Sequence, residues 1–133
     1  MAQLIPYIYS DDAREQAAFY AGALGGEIVS VQTFGDMPGS SPDDKERVMH
    51  LILQAAGLTF YMADAGPVER GSGMDLTLEY ESAEEAGEAF AKLAAGGQVL
   101  MPFAKMFWGS MFGRLVDPFG VRWQVATRLD SHT

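Results

Sequence analysis

The sequence contains no cysteine and few basic residues, and both shortages narrow the classes of protein to consider. Without cysteine, the chain has no disulfide framework, no thiolate nucleophile and no cysteine-ligated metal site, and a reducing cytoplasm is the expected compartment. Nine lysine and arginine residues stand against 18 aspartate and glutamate residues, which gives a formal net charge of −9. Because nucleic acids and anionic membranes bind basic surfaces, neither is an expected partner.

Several sequence signatures are also missing. No apolar run approaches the roughly 18 residues of a membrane-spanning helix, and we expect no signal peptide, because the first residues lack a basic region followed by an apolar one. There is no GxGxxG, GxSxG or HExxH pattern, so nucleotide-binding, serine-hydrolase and zincin functions are not indicated. What is present is a chain of 133 residues, 48% of them hydrophobic, which predicts one globular domain over residues 1–133.

One pattern of residues occurs twice along the chain. Placing Phe19 on Phe90, an offset of 71 residues without a gap, also aligns Tyr9 with Tyr80 and Gly25-Gly26 with Gly96-Gly97. Each copy reads as a strand, an alanine-rich helix that ends at the glycine pair, and three further strands.

The repeat predicts the fold class. Two tandem βαβββ modules make an α+β protein, with module 1 at about residues 3–64, a linker at 65–73 and module 2 at about 74–128. A duplicated ferredoxin-like sandwich is disfavoured, because three strands follow each helix. The loop Gly35–Asp44 is rich in glycine, proline and serine and is a candidate lid.

Strand alternation assigns side chains to the two faces of each predicted sheet. Apolar residues on one face are expected to pack under the helices: Met49, Leu51, Leu53, Leu58, Phe60, Met62, Leu76, Leu78, Tyr80, Val121, Trp123 and Val125. The opposite faces are expected to curl into a cup that holds a small-molecule ligand. The predicted lining is His50, Gln54, Tyr61, Asp75, Thr77, Glu79, Arg122 and Gln124, and the offset of 71 residues adds Leu4, Pro6 and Ile8 from the first strand.

The paired modules, the helix ends FYAGALGGE and FAKLAAGGQ, and the run WGSMFGRLVDPFGVRW at Trp108–Trp123 resemble the vicinal-oxygen-chelate superfamily. This superfamily contains glyoxalase, bleomycin-resistance and dioxygenase-like proteins, and within it the chain resembles the PhnB-like branch. The resemblance implies a glyoxalase-like cup, a homodimer and, in the metalloenzyme members, a divalent cation held at four inward positions. Carried over, those positions fall on Leu4, Tyr61, Asp75 and Gln124. One carboxylate and one amide are too few donors for a divalent cation, so we predict no cofactor, and a metal is disfavoured.

The candidate catalytic residues are His50 and Asp75. Imidazole exchanges a proton near neutral pH, which makes His50 a candidate general base; the alternative is a half-buried histidine bonded to a neighbouring strand. Asp75 is a second candidate base, or pairs with Arg122 in a structural salt link. The candidate ligand-binding residues are Tyr61, Glu79, Trp108, Arg122 and Gln124, and the aromatic ones among them suit a planar or cationic ligand.

Three functions stay open at this point. The first is an enzyme of small-molecule chemistry, of lyase or isomerase type, that works without the usual metal ligands. The second is a non-catalytic protein that binds or sequesters a small molecule, as the antibiotic-binding members of the superfamily do. The third is a protein kept for interaction with a partner, its cup no longer in use.

Overall fold

A computed structural model describes residues 1–39 and 45–128. Its helices and strands follow the order β1 (Tyr7–Ser10), α1 (Ala13–Leu24), β2 (Gly26–Thr33), β3 (Val48–Ala55), β4 (Leu58–Asp64), β5 (Leu76–Tyr80), α2 (Ala83–Ala94), β6 (Gln98–Lys105), β7 (Met111–Val116) and β8 (Arg122–Thr127). The predicted α+β fold of two tandem βαβββ modules is confirmed. The candidate lid begins with a 3-10 turn at Phe34–Asp36, and its residues 40–44 lie outside the described residues.

Two compact units make up the chain, unit 1 at Met1–Glu69 and unit 2 at Arg70–Thr133. Unit 1 contains a four-stranded sheet in the order β1-β4-β3-β2, and unit 2 contains one in the order β5-β8-β7-β6. In each sheet the first strand of the module runs parallel to the fourth, and the other neighbours are antiparallel. None of the helices in residues 1–39 and 45–128 is long and apolar enough to cross a membrane.

Both helices begin at a capping side chain and end within two residues of the glycine pairs that the sequence predicts. A carboxylate oxygen of Asp12 accepts a hydrogen bond from the Glu15 backbone N–H at 3.2 Å, and the Ser82 hydroxyl accepts one from the Glu85 N–H at 3.1 Å. These bonds satisfy backbone donors that the first helical turn leaves without a partner. Helix α1 then ends at Gly25, whose φ of 73° a residue with a side chain rarely adopts.

One face of each sheet is covered by the helix of its own module. The largest fully buried side chains of unit 1 are Tyr20, Leu51, Leu53, Phe60 and Met62, and those of unit 2 are Leu93, Leu115, Trp123 and Val125. All four of the residues from β3 and β4 were expected on this face, as were Trp123 and Val125. The helix-facing side of each sheet is therefore closed, and the opposite side is the one available to a ligand.

The predicted offset between the modules is wrong by one residue in the first strand and the helix. Tyr20 and Phe90 are both buried, at 0% and 8% exposure, whereas Phe19 is only half-buried, so the equivalent pair differs by 70 residues. The strand pairing gives the same offset of 70 residues. Tyr7 pairs with Tyr61 in unit 1, and Thr77 pairs with the equivalent residue, Gln124, in unit 2. Ala95, an additional residue between α2 and its glycine pair, restores the offset of 71 at the glycines.

This slip moves the first-strand side chains to opposite faces, since alternate residues of a strand point to opposite sides. Ile8, predicted for the open polar face, is only 7% exposed and lies in the core, while Tyr7 and Tyr9 occupy the open face. Leu4 and Pro6 precede β1 rather than lying in it.

A second correction concerns Met49, which was expected under the helix. Pairing between β2 and β3 changes register between Gln32–His50 and Thr33–Val48, so Met49 is the additional residue of a β-bulge. Val48 is fully buried in its place, and Met49 is half-buried. His50 keeps its predicted position on the open face.

Candidate functional site

The open face of the sheet in unit 1 carries a cluster of aromatic side chains around His50. The rings of His50 and Tyr61 lie 4.8 Å apart between centroids and meet edge to face. Tyr7 contacts both rings, at 5.7 Å from His50 and 6.1 Å from Tyr61, and Tyr9 lies 5.2 Å from Tyr7. We call these four residues the aromatic cluster; such rings offer both flat apolar area and polar edges to a ligand.

A hydrogen bond links Tyr7 to the histidine, with 3.2 Å between the Tyr7 Oη and the His50 Nδ1. Burial, and then the neighbouring Tyr9, raise the pKa of the Tyr7 hydroxyl above its ordinary value. The role of the hydroxyl depends on the His50 tautomer: it donates its hydrogen when Nδ1 carries none, and it accepts one when Nδ1 is protonated. In the second tautomer, Nε2 carries a free lone pair.

In unit 2 the corresponding face carries a charged cluster around Asp75, which is 13% exposed. Its Oδ1 accepts a hydrogen bond from the Arg122 Nε at 2.8 Å. Its Oδ2 accepts bonds from the Arg114 Nε at 3.2 Å and the Gln124 Nε2 at 3.1 Å. The Thr77 hydroxyl lies 3.3 Å from the Gln124 Oε1 and orients the amide. We call Asp75, Arg114, Arg122 and Gln124 the arginine cluster.

These contacts set the protonation of Asp75. Burial alone would raise the pKa of the carboxyl, but hydrogen bonds from Arg122, Gln124 and Arg114 outweigh burial and hold the pKa below its ordinary value. A carboxylate stabilised in this way is a weak base, and its oxygens are already occupied. The geometry thus matches the structural salt link with Arg122 that the sequence offered as an alternative to catalysis.

The two remaining candidate residues, Glu79 and Trp108, both belong to unit 2. Glu79 is exposed on β5, four residues beyond Asp75 and beside Ala126 on the neighbouring strand. Trp108 lies in the turn between β6 and β7, where its indole N–H donates to the Ser110 hydroxyl and its ring contacts Phe107 and Phe112. Trp108 is 44% exposed and Phe107 is 98% exposed, so this turn presents an aromatic pair to solvent.

Sequence reasoning missed Tyr7, Tyr9 and Arg114. The two tyrosines were lost to the one-residue error in the offset, which placed Ile8 where they belong. Arg114 pairs directly with Gln124 across β7 and β8, so counting back from the Asp-Pro-Phe-Gly turn would have placed it beside two residues already chosen. Tyr7 and Tyr9 lie in β1 and Arg114 lies in β7, so the correct strand register would have placed all three on the open faces.

The residues at the superfamily's metal positions do not fit a divalent cation. In unit 1, Leu4 is aliphatic, and the corrected offset replaces it with Ile5, which is no better a donor. In unit 2, the Asp75 oxygens are bonded to two guanidinium groups, and Gln124 turns its amide nitrogen toward Asp75. Hard cations need several anionic or carbonyl oxygens directed at one point. Within residues 1–39 and 45–128, no three histidine, aspartate or glutamate side chains form such a group.

Comparison with known proteins places the chain. Residues 3–125 match the family model described as Glyoxalase/Bleomycin resistance protein/Dioxygenase superfamily. Protein YjdN of Escherichia coli (strain K12) is 32% identical, with 92% of each chain covered. Among solved structures, protein PA1353 from Pseudomonas aeruginosa superposes with a TM-score of 0.83 at 33% identity, covering 98% of this chain and 100% of that one. A PhnB protein from Bacillus cereus superposes with a TM-score of 0.76 at 26% identity, covering 96% and 100%. The chain belongs to the glyoxalase/bleomycin resistance protein/dioxygenase superfamily, with a PhnB protein among its structural relatives.

Proposed function

We propose that this protein binds a small organic molecule at the aromatic cluster of unit 1 and that it does so without the metal ligands usual in its superfamily. The observation that carries the proposal is the contact between Tyr7, His50 and Tyr61 on an open sheet face, with a hydrogen bond of 3.2 Å between the Tyr7 hydroxyl and the imidazole. Two tyrosine rings beside one imidazole suit a planar ligand that also carries a hydrogen-bonding group.

We further propose that His50 is the residue that exchanges a proton with the ligand. Lyase and isomerase reactions commonly begin with removal of a proton from carbon, and a general base for this step must lie within hydrogen-bond reach of the substrate. When Nδ1 carries the imidazole hydrogen and donates it to the Tyr7 Oη, the lone pair of Nε2 is left to accept a proton from the ligand. Asp75 is not the base in this scheme, because its hydrogen bonds to arginine make it a weak one.

Titration with a panel of planar small molecules, followed by NMR of the side-chain resonances, tests the binding. Saturable shifts at His50 and Tyr61 are expected in the wild type, and the His50 shift should disappear in Tyr61→Ala. Phe107→Ala is the matched control, because it removes an exposed ring from unit 2. A panel in which no compound shifts His50, or in which Phe107→Ala weakens binding as much as Tyr61→Ala, contradicts the proposal.

Catalysis and sequestration differ in what happens to the bound compound. For an enzyme, a ligand with a hydrogen next to a carbonyl group exchanges it for deuterium in D₂O, and His50→Gln abolishes the exchange while keeping most of the binding. For a sequestering protein, binding occurs without exchange above the buffer rate. The second outcome supports the non-catalytic alternative and removes the catalytic role of His50.

We also propose that the chain forms a homodimer, as the family resemblance implies. The edge strand β6 exposes Val99, Leu100 and Met101, each at least 37% exposed. Consecutive apolar residues of this kind on a sheet edge commonly pack against a second chain. Sedimentation equilibrium of the wild type and of a Leu100→Lys variant tests this, and a wild-type monomer at micromolar concentration contradicts it.

A further inference from the structure

The arginine cluster of unit 2 carries more positive charge than its single carboxylate neutralises. Arg114 and Arg122 both bond to Asp75, so two guanidinium groups share one negative charge. The next acidic residue on this strand face, Glu79, lies four residues further along β5, roughly 13 Å away by strand rise. A local surplus of positive charge is unusual in a chain whose formal net charge is −9.

The guanidinium groups also keep donors available. Arg122 contacts Asp75 through Nε, and Arg114 uses Nε and Nη2 on the same carboxylate oxygen, each at 3.2 Å. An arginine has five N–H donors in a planar fork. Among the described residues, the contacts with Asp75 therefore leave both terminal nitrogens of Arg122, and Nη1 of Arg114, with hydrogens to donate.

Solvent reaches both side chains, since Arg114 is 32% and Arg122 is 21% exposed, whereas Asp75 lies deeper at 13%. The Asp75 carboxylate thus holds both guanidinium groups on their buried side and leaves their solvent-facing N–H groups open. Paired N–H donors in one plane match the two oxygens of a carboxylate or phosphoryl group. A cation is excluded from this position, because two guanidinium groups would repel it.

We propose that Arg114 and Arg122 form a binding site for a small oxyanion, a carboxylate or phosphoryl group, and that Asp75 is the positioning residue that fixes both guanidinium groups. The inference rests on the proposed function in one respect, because the oxyanion would belong to a small organic molecule. It does not depend on His50 or on any chemistry at the aromatic cluster. A ligand of this site would carry a carboxylate or phosphoryl group.

Inorganic phosphate and acetate are the probes, added to the full chain while NMR follows the arginine Nε–Hε resonances. Saturable shifts of the Arg114 and Arg122 resonances are expected, with a dissociation constant on the order of 1–10 mM, equivalent to about 3–4 kcal/mol. Sodium chloride at equal ionic strength controls for screening. Tighter binding of phosphate identifies a phosphoryl ligand, and equal or tighter binding of acetate identifies a carboxylate.

Substitutions separate the site from general electrostatics. Arg122→Gln should abolish saturation, and Arg122→Lys, which keeps the charge but not the fork, should weaken binding at least about threefold. Arg128→Gln is the matched control, because Arg128 is 63% exposed and only loosely paired with Glu81 at 3.7 Å. Circular dichroism confirms that each variant is folded, and the lysine variant keeps the test decisive if the glutamine variant is not.

The role of Asp75 has a test of its own. If charge alone decided affinity, Asp75→Asn would bind phosphate more tightly, since a negative charge is removed. Positioning predicts the opposite, a loss of affinity of several fold, because the two forks lose their common anchor. Shifts that stay linear with anion concentration, or that appear equally at Arg128, overturn the oxyanion site. Failure of the planar-ligand panel with saturable phosphate binding would remove only the aromatic-cluster proposal.

Discussion

At position 80 a tyrosine points toward the helix side of the sheet, and its hydroxyl is buried without a hydrogen-bond partner among the described residues. The corresponding residue of the first strand is Ser10, whose small hydroxyl accepts a bond from the Asp12 N–H at 3.1 Å. A buried hydroxyl without a partner costs about 1–3 kcal/mol. The buried hydroxyl of Tyr80 therefore lowers the free energy of unfolding.

We expect Tyr80→Phe to leave the free energy of unfolding unchanged or to increase it by about 1 kcal/mol. Tyr20→Phe is the matched control, because the Tyr20 hydroxyl accepts a bond from the Gln16 amide at 2.7 Å inside the core. That variant should lose about 1–2 kcal/mol, since the buried amide loses its acceptor. Urea unfolding followed by circular dichroism measures both, and a larger loss in Tyr80→Phe than in Tyr20→Phe would contradict the prediction.

The same side chain should affect stability at alkaline pH. Burial, and then the charge of Glu85, raise the pKa of Tyr80 above its ordinary value of 10.0. The unfolded chain then releases this proton at a lower pH than the folded chain does, so stability falls as the pH rises from 10.0 toward the raised pKa. Tyr80→Phe should lose less stability over this range than the wild type, as measured by thermal unfolding at a series of pH values.

At the scale of elements, the packing of α2 on β7 depends on a glycine. A side-chain carbon at Gly113 would lie 2.7 Å from the Cε2 of Phe90 and 2.9 Å from the Cα of Phe103. Gly113→Ala should therefore destabilise the protein by about 1–3 kcal/mol, because helix or strand must move. Gly22→Ala is the matched control: it lies in α1 with nothing within 4 Å and should stabilise by about 0.5–1 kcal/mol. Equal effects of the two substitutions in thermal unfolding would show that packing at β7 is not the cause.

The elements also show what the sequence can and cannot predict. Helix ends are encoded locally, by Asp12 and Ser82 at the N-termini and by the glycine pairs, and the predicted C-terminal ends lie within two residues of the observed ones. Apart from Met49, the faces of β3, β4 and β8 followed from alternation alone, although Leu58 at the start of β4 is 47% exposed instead of covered by the helix. The errors came at Met49, where a β-bulge changes the register, and at the first strand, where the offset of 71 residues fails because Ala95 lengthens the second module only after its helix. A single residue leaves no mark in composition or periodicity, yet it reverses every side chain beyond it.

For the candidate site too, the sequence predicts the face on which a side chain lies but not its contacts. His50, Tyr61, Asp75, Arg122 and Gln124 were placed on the open faces because their strands alternate regularly. Which of them touch each other depends on pairing between strands, and pairing is fixed by contacts far apart in the chain. The hydrogen bonds that occupy Asp75 could be found only once β7 and β8 were aligned.

At the scale of the whole molecule, the net charge of −9 is itself a determinant of stability. Like charges repel more strongly in the compact state than in the unfolded chain, and salt screens this repulsion. We expect the melting temperature to rise between about 0.01 M and 0.15 M sodium chloride, as the screening length falls from about 30 Å to about 8 Å. The rise should shrink near pH 4, where carboxylates take up protons. A melting temperature that falls with salt at neutral pH would show that attractive ion pairs outweigh the repulsion.

Ala95 has a consequence for how the two halves can diverge. The residue was accommodated where a helix has already ended and the next strand has not begun, so both sheets keep their pairing while the halves differ in length. The segment between the helix and the glycine pair therefore tolerates an insertion of one residue without a change in strand pairing. A chimera that copies one half into the other can be joined there with one residue more or fewer, whereas the same change inside β1 or β5 would turn its core residues outward.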